Sequence, residues 1–164
     1  MKGIIKYLIV LFLLGFYICC SSNTTNKNSS SKISDSTLIQ KKAYKPGLGE
    51  YMLGLQMHHA KLWFAGINSN WKLADYEIGE MKELVDGARE FETERPEIKS
   101  LSVIYPALDS VSKTLKKEDI IAFKESFKLL TNTCNDCHHS NHFEFNVITI
   151  PTAPPVTNQD FKVQ

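Results

Sequence analysis

The stretch that decides the fold is residues 120–138, IIAFKESFKLLTNTCNDCH. Apolar or cysteine side chains recur there every three or four residues, which is the spacing of one face of an α-helix. They are Ile120, Phe123, Phe127, Leu130, Cys134 and Cys137. Glu118 and Asp119 come just before the run, where the dipole of a helix favours negative charge. The pattern predicts an amphipathic helix whose C-terminal part carries two cysteines.

The same spacing predicts three further helices upstream. They cover residues 47–65, residues 74–91 and, less regularly, residues 98–115. Pro106 is expected to kink the third helix or to delay its start, because proline lacks the amide hydrogen that a helix interior requires. Four helices with short connections predict an all-α fold, an antiparallel four-helix bundle.

The C-terminal stretch, residues 143–164, has no helical period and contains Pro151, Pro154 and Pro155. Its run VITI, residues 147–150, favours extended backbone. One extended segment packed on the bundle is therefore expected, and too few strands are present for a sheet. The folded domain is predicted to cover residues 43–164, with this stretch as an extended tail.

The N-terminal segment is expected to direct export. Residues 7–18 form an apolar run of twelve residues behind Lys2 and Lys6, which is typical of a secretory signal and too short to span a bilayer. The sequence around Cys19 and Cys20 resembles the cleavage box of bacterial lipoproteins. Cys20 is the expected acylated residue, with Cys19 as the alternative. An ordinary cleaved signal with incidental cysteines is the other interpretation.

Residues 1–20 are thus predicted to be a lipoprotein signal peptide. Residues 21–42 are mostly Ser, Thr, Asn and Lys and are predicted to be a flexible tether, because they offer too little apolar surface to fold. The expected location is the cell envelope, in the periplasm or on the outer surface, with the protein anchored to a membrane by its lipid.

Residues 134–138, CNDCH, match C-x-x-C-H, the attachment motif of c-type haem. Two thiols on one helical turn can add to the two vinyl groups of a porphyrin, and the adjacent imidazole can bind the iron from the same side. We expect Cys134 and Cys137 to form thioether bonds to one haem c and His138 to be the proximal iron ligand. The export signal agrees, because haem of this kind is attached outside the cytoplasm.

Two other interpretations use the same residues. A zinc site could recruit Cys134, Cys137 and two of His138, His139 and His142, although structural zinc pairs usually come from two separated loops. A disulfide between the two cysteines is also compatible with an oxidising compartment, but the βαβ context of a thioredoxin-like protein is lacking.

A distal iron ligand from this chain must precede the motif, because all four methionines lie upstream of residue 134. At about 100° per residue, Met52 and His59 share one face of the first helix, whereas Met57 lies roughly 140° from Met52. Met52 is the expected distal ligand, and His59, Met57 or an open position are the alternatives. Each of these side chains also has an ordinary interpretation as part of the core.

With its motif on the last of four helices, the chain resembles cytochromes of the c-prime or class II type. Residues 59–66, HAKLWFAG, followed by Asn70 and Trp71, also resemble a group of exported bacterial monohaem proteins of this plan. The resemblance covers roughly residues 48–138. It implies a bundle with thioether positions at Cys134 and Cys137, His138 as proximal ligand and Met52 as sixth ligand. The 26 residues after His138 depart from the family pattern.

The expected function is single-electron transfer by an electron carrier, with no catalytic residues. If the sixth position is open, the alternative is a pentacoordinate haem protein that binds NO or CO. From residue 43 onward, 13 Lys and Arg stand against 17 Asp and Glu, a difference of −4, which disfavours nucleic-acid binding. The acidity favours redox partner proteins with a positive docking patch, and a homodimer is a possible assembly.

Overall fold

The computed structural model describes residues 44–164, and this part of the chain is all-helical, as predicted. Its four α-helices are α1 (Leu48–Ile67), α2 (Trp71–Phe91), α3 (Tyr105–Leu115) and α4 (Ile120–Ser140), and two 3-10 turns cover Pro96–Lys99 and Leu101–Ile104. Residues 44–164 include no β-strand. The predicted signal peptide, the lipidation site Cys20 and the tether lie outside the described residues.

Side-chain caps explain where two of the helices begin. Asp119 precedes α4, and its Oδ1 accepts hydrogen bonds from the backbone N–H groups of Ile121 and Ala122, each at 3.0 Å. Asn70 precedes α2, and its Oδ1 accepts from the N–H of Leu73 at 3.3 Å. These bonds satisfy amide groups that have no partner within the first turn of a helix.

The third helix starts later than the apolar spacing alone indicates. Residues 98–104 lie in the two 3-10 turns and at Ser100 between them, and α3 begins at Tyr105 with Pro106 in its first turn. A proline is tolerated there because the first amide groups of a helix have no intrahelical acceptor. Pro106 is expected either to kink the third helix or to delay its start, and in the structure the start is delayed.

The core lies where α1, α2, α3 and α4 meet. α1 packs along α2, α3 packs against α4, and α1 also contacts α4. Phe123 and Phe127 of α4 are fully buried, and the Trp63 ring of α1 lies 4.9 Å from the Phe127 ring between centroids. Gly66 lets the Phe123 ring approach α1, since a Cβ atom at residue 66 would lie 2.1 Å from Phe123 Cζ.

The stretch after α4 has no helix or strand but makes specific contacts at both of its ends. Near α4, Ile148 and Asn146 are hydrogen bonded to α4 side chains. Near residue 164, the Phe161 side chain is buried, with its ring centroid 5.8 Å from that of Phe64, and the Lys162 carbonyl accepts from Asn70 Nδ2 at 3.1 Å. The stretch therefore joins the C-terminal end of α4 to the turn between α1 and α2.

A search for membrane spans among residues 44–164 finds no helix with the length and apolar character needed to cross a bilayer.

Candidate functional site

A cavity of about 350 Å³ lies between the C-terminal part of α4, the N-terminal half of α1 and the 3-10 turns. Most of its wall is apolar, from Leu48, Leu53, Leu55, Ile98, Leu101 and Ile104. Leu53 is 64% exposed, so the cavity reaches the protein surface beside it. The volume is in the range of sites that hold a small molecule or cofactor.

Five of the six candidate haem and iron ligands line this one cavity. Cys134, Cys137 and His138 come from α4, and Met52 and His59 come from α1. The sixth, Met57, lies outside the cavity wall although it belongs to the same helix as Met52. The fold thus brings side chains about 80 residues apart in sequence to one site and separates the two methionines of α1.

Both cysteines are free thiols within the described residues, and each keeps part of its surface accessible. Burial, with a smaller contribution from the neighbouring Cys137, raises the pKa of Cys134 to about 12. Cys134 is therefore protonated at neutral pH, which disfavours it as a redox nucleophile, because the reactive species is the thiolate.

The zinc interpretation requires several Cys and His side chains to converge. Among residues 44–164, no group of three or more His, Cys, Asp or Glu side chains is arranged to hold a metal ion. The turn of α4 that carries the motif instead directs Cys134, Cys137 and His138 to the cavity, while His139 and His142 lie exposed.

The hydrogen bond of His138 determines which of its ring nitrogens carries a proton. Nδ1 lies 2.6 Å from the backbone carbonyl oxygen of Asn146. Because a carbonyl only accepts hydrogen bonds, Nδ1 must be the donor, and Nε2 of the neutral imidazole is left with a free lone pair. His138 lines the cavity in this tautomer. The ring is thus prepared to bind a metal through Nε2.

His59 is held differently, as a core residue with a partner. Its Nε2 lies 2.9 Å from Thr131 Oγ1, and the Thr131 hydroxyl donates to the Phe127 carbonyl at 2.9 Å. The single hydroxyl proton is used there, so His59 Nε2–H donates to Thr131. Burial lowers the pKa of His59 to about 4, which makes the ring neutral at pH 7. Its Nε2 is committed to Thr131.

No pattern in the sequence identifies three of the groups at the site. Met81 of α2 is buried and lines the same cavity as Met52, and nothing in its sequence spacing distinguishes it from an ordinary core residue. The Asn146 carbonyl belongs to the backbone, which has no sequence signature. Asn135, inside the motif, is hydrogen bonded to Ile148 through both atoms of its amide. Only the fold brings that partner to it.

In the comparisons with known proteins, no family model, curated protein or solved structure matches the chain. Function is therefore inferred from the residues of the site.

Proposed function

We propose that the protein is a monohaem c-type cytochrome that transfers single electrons outside the cytoplasm. The observation that carries the proposal is that Cys134, Cys137 and His138 line one largely apolar cavity, with His138 Nε2 free to bind iron. When bound, the haem supplies an iron centre that cycles between ferric and ferrous states. No acid–base group of the protein takes part in that reaction.

The residues of the cavity fit a haem c. Cys134 and Cys137 would hold it through thioether bonds, and His138 would bind the iron through Nε2. Met52 lines the cavity together with these residues and is the proposed distal ligand, since its thioether sulfur is a common sixth ligand in cytochromes c. Apolar walls exclude water and lower the local dielectric, both of which tune the reduction potential.

We also propose that the four helices form an antiparallel bundle of the class II cytochrome type. Three residues join α1 to α2 and four residues join α3 to α4. Connections this short favour antiparallel neighbours, and α1 contacts α2 and α3 contacts α4, as such an arrangement requires.

The setting proposed for this cytochrome is the cell envelope. Lipid on Cys20 would anchor it to a membrane in the periplasm or on the outer surface, and residues 21–42 would act as the tether. The tether would raise the effective concentration of the haem domain near membrane-bound redox proteins. The acidic domain favours redox partners with a positive docking patch. A homodimer is the proposed assembly.

A second candidate function is NO or CO binding by a pentacoordinate haem. The observation that favours it is the opening of the cavity to the surface at exposed Leu53, next to Met52. A small gas would have a direct entry route there. This candidate requires that Met52 leave the sixth position of the iron empty.

The test is the haem content and the absorption spectrum of protein made in cells with intact cytochrome c maturation. Haem staining on a denaturing gel should show covalent attachment. The ferric protein should show low-spin bands and the long-wavelength charge-transfer band of methionine ligation. In Met52→Ala we expect high-spin bands and CO binding to the ferrous form, whereas the control Met57→Ala should resemble the parent.

Each other result changes the proposal in a defined way. Colourless protein with both thiols free overturns it. A high-spin parent protein that binds CO favours the gas-binding function over electron transfer. Ligand bands that stay the same in Met52→Ala remove Met52 from the iron.

A further inference from the structure

A side chain of the attachment motif itself fastens the tail, residues 143–164, to α4. Asn135 Nδ2 donates to the Ile148 carbonyl at 2.9 Å, and Asn135 Oδ1 accepts from the Ile148 N–H at 2.8 Å. The amide of Asn135 thus pairs with the backbone of Ile148 as a neighbouring strand would. We call this two-bond contact the Asn135 clamp.

The clamp lies two residues from the carbonyl that accepts the His138 proton. Asn146 O is 2.6 Å from His138 Nδ1, and the Asn146 N–H donates to Phe143 O at 2.8 Å. The Phe143 N–H in turn donates to His138 O at 2.8 Å, so the chain turns back on α4 directly after the helix ends. The turn fixes the position of Asn146 from one side, and the clamp fixes it from the other.

We infer that Asn135 is a positioning residue for the proximal iron ligand, acting through the tail. By holding Ile148, it keeps the Asn146 carbonyl on His138, which orients the imidazole ring and retains the proton on Nδ1. Asn135 is not among the residues that line the cavity, so it acts on the ligand only indirectly. The inference rests on the proposed function and deepens it.

The clamp has a consequence for the reduction potential. A hydrogen bond from the distant ring nitrogen of a metal-bound histidine makes the other nitrogen a stronger donor to the metal. A stronger donor favours the ferric state, so the clamped tail lowers the reduction potential. Releasing the tail by a substitution at Asn135 therefore raises the potential, although Asn135 itself does not line the cavity.

The test compares two variants that break the clamp from opposite sides in the full-length haem protein. Asn135→Ala removes both hydrogen bonds without changing a residue of the cavity wall, and Ile148→Pro removes the backbone donor at a residue that itself lines the cavity. The matched control is Asn132→Ala, the same substitution one helical turn earlier at an exposed asparagine. Amide hydrogen exchange of the tail and the midpoint potential are measured for all four proteins.

We expect exchange in residues 145–150 to become at least tenfold faster in both clamp variants, with a more positive potential and unchanged haem content. Asn132→Ala should match the parent in both measurements. Faster exchange without a change in potential would overturn the role in ligand positioning and leave Asn135 a structural residue. Unchanged exchange in both variants would overturn the clamp. Colourless parent protein would refute the proposed function itself, which separates the two failures.

Discussion

At the scale of single residues, the core accommodates two ionisable side chains by different means. His59 is 3% exposed and is neutral, with Nε2–H bonded to Thr131. Glu77 has no exposed surface, and its Oε2 lies 2.7 Å from His58 Nδ1. Its Oε1 has no hydrogen-bond partner among the described residues. Burying a charged group without a partner is costly. Protonating His59, or removing the partner of Glu77, should therefore lower the free energy of unfolding.

Stability should decrease in acid because of His59. Burial lowers the pKa of His59 to about 4, so below its ordinary pKa the unfolded chain binds a proton that the folded protein does not. This contribution is complete above pH 6.5 and is lost as the pH falls towards 4. Between pH 7.5 and pH 5 we expect it to lower the free energy of unfolding by about 2 kcal/mol.

Urea unfolding at the two pH values, for the parent and for His59→Phe, measures that contribution. The phenylalanine keeps an aromatic ring beside Phe127, whose centroid lies 4.4 Å from that of the His59 ring. The variant should lose less stability than the parent on acidification, by that same amount. Equal losses in the two proteins would mean that His59 does not titrate as a buried neutral residue.

The protein with the intact His58–Glu77 pair should be more stable than a variant that lacks His58 alone. His58→Leu leaves the buried Glu77 carboxyl without its partner, and we expect a loss of roughly 3 kcal/mol in the free energy of unfolding. Adding Glu77→Leu removes the stranded carboxyl, so the double variant should be more stable than His58→Leu. A double variant less stable than the single one would contradict this account of the pair.

At the scale of helices, the contact between α1 and α4 depends on a glycine. Gly66 faces the fully buried Phe123, and the two lie where the aromatic side chains of both helices meet. The helical periods of α1 and α4 are readable from sequence, since they depend on neighbours three and four residues apart. The close approach at Gly66 is not, because its partner belongs to another helix.

Gly66→Ala and Gly79→Ala should change stability in opposite directions. A Cβ atom at residue 66 would lie 2.1 Å from Phe123 Cζ, whereas one at residue 79 meets nothing within 4 Å. Overpacking at residue 66 should cost roughly 1–3 kcal/mol. At residue 79, alanine should stabilise α2 by about 0.5–1 kcal/mol, because glycine loses more backbone entropy in a helix. Thermal and urea unfolding test both, and a stabilised Gly66→Ala would contradict the close contact.

At the scale of the whole molecule, the tail connects the C-terminal part of α4 to the turn between α1 and α2. Its first part is bound to α4 by the Asn135 clamp, and its last part is held by Phe161 against Phe64. Residues 147–150 form neither a helix nor a strand, and Ile148 pairs with the side chain of Asn135. The two anchor points have separate partners, so they should respond separately to mutation.

Phe161→Ala should release the last part of the tail and leave the first part bound. Phe161 is 5% exposed, and removing a buried phenyl ring costs about 3–5 kcal/mol unless the segment can detach. We expect amide exchange to become faster around residues 156–163 and to stay unchanged at Asn146 and Ile148. Phe145→Ala is the matched control, because Phe145 is 79% exposed and its loss should change stability by less than about 0.5 kcal/mol. Faster exchange along the whole tail would show that the two anchors act together.

The sequence by itself determined the four helices and the place of the CNDCH motif on the last helix, because helix formation depends on side chains a few residues apart. Only the tertiary structure decided that Met52 lines the cavity and Met57 does not, and that Thr131 occupies His59 Nε2. It alone also decided that the Asn146 carbonyl sets the tautomer of His138. Each of these contacts joins separate elements of the fold, and contacts between separate elements produce no regular spacing of residues in the sequence.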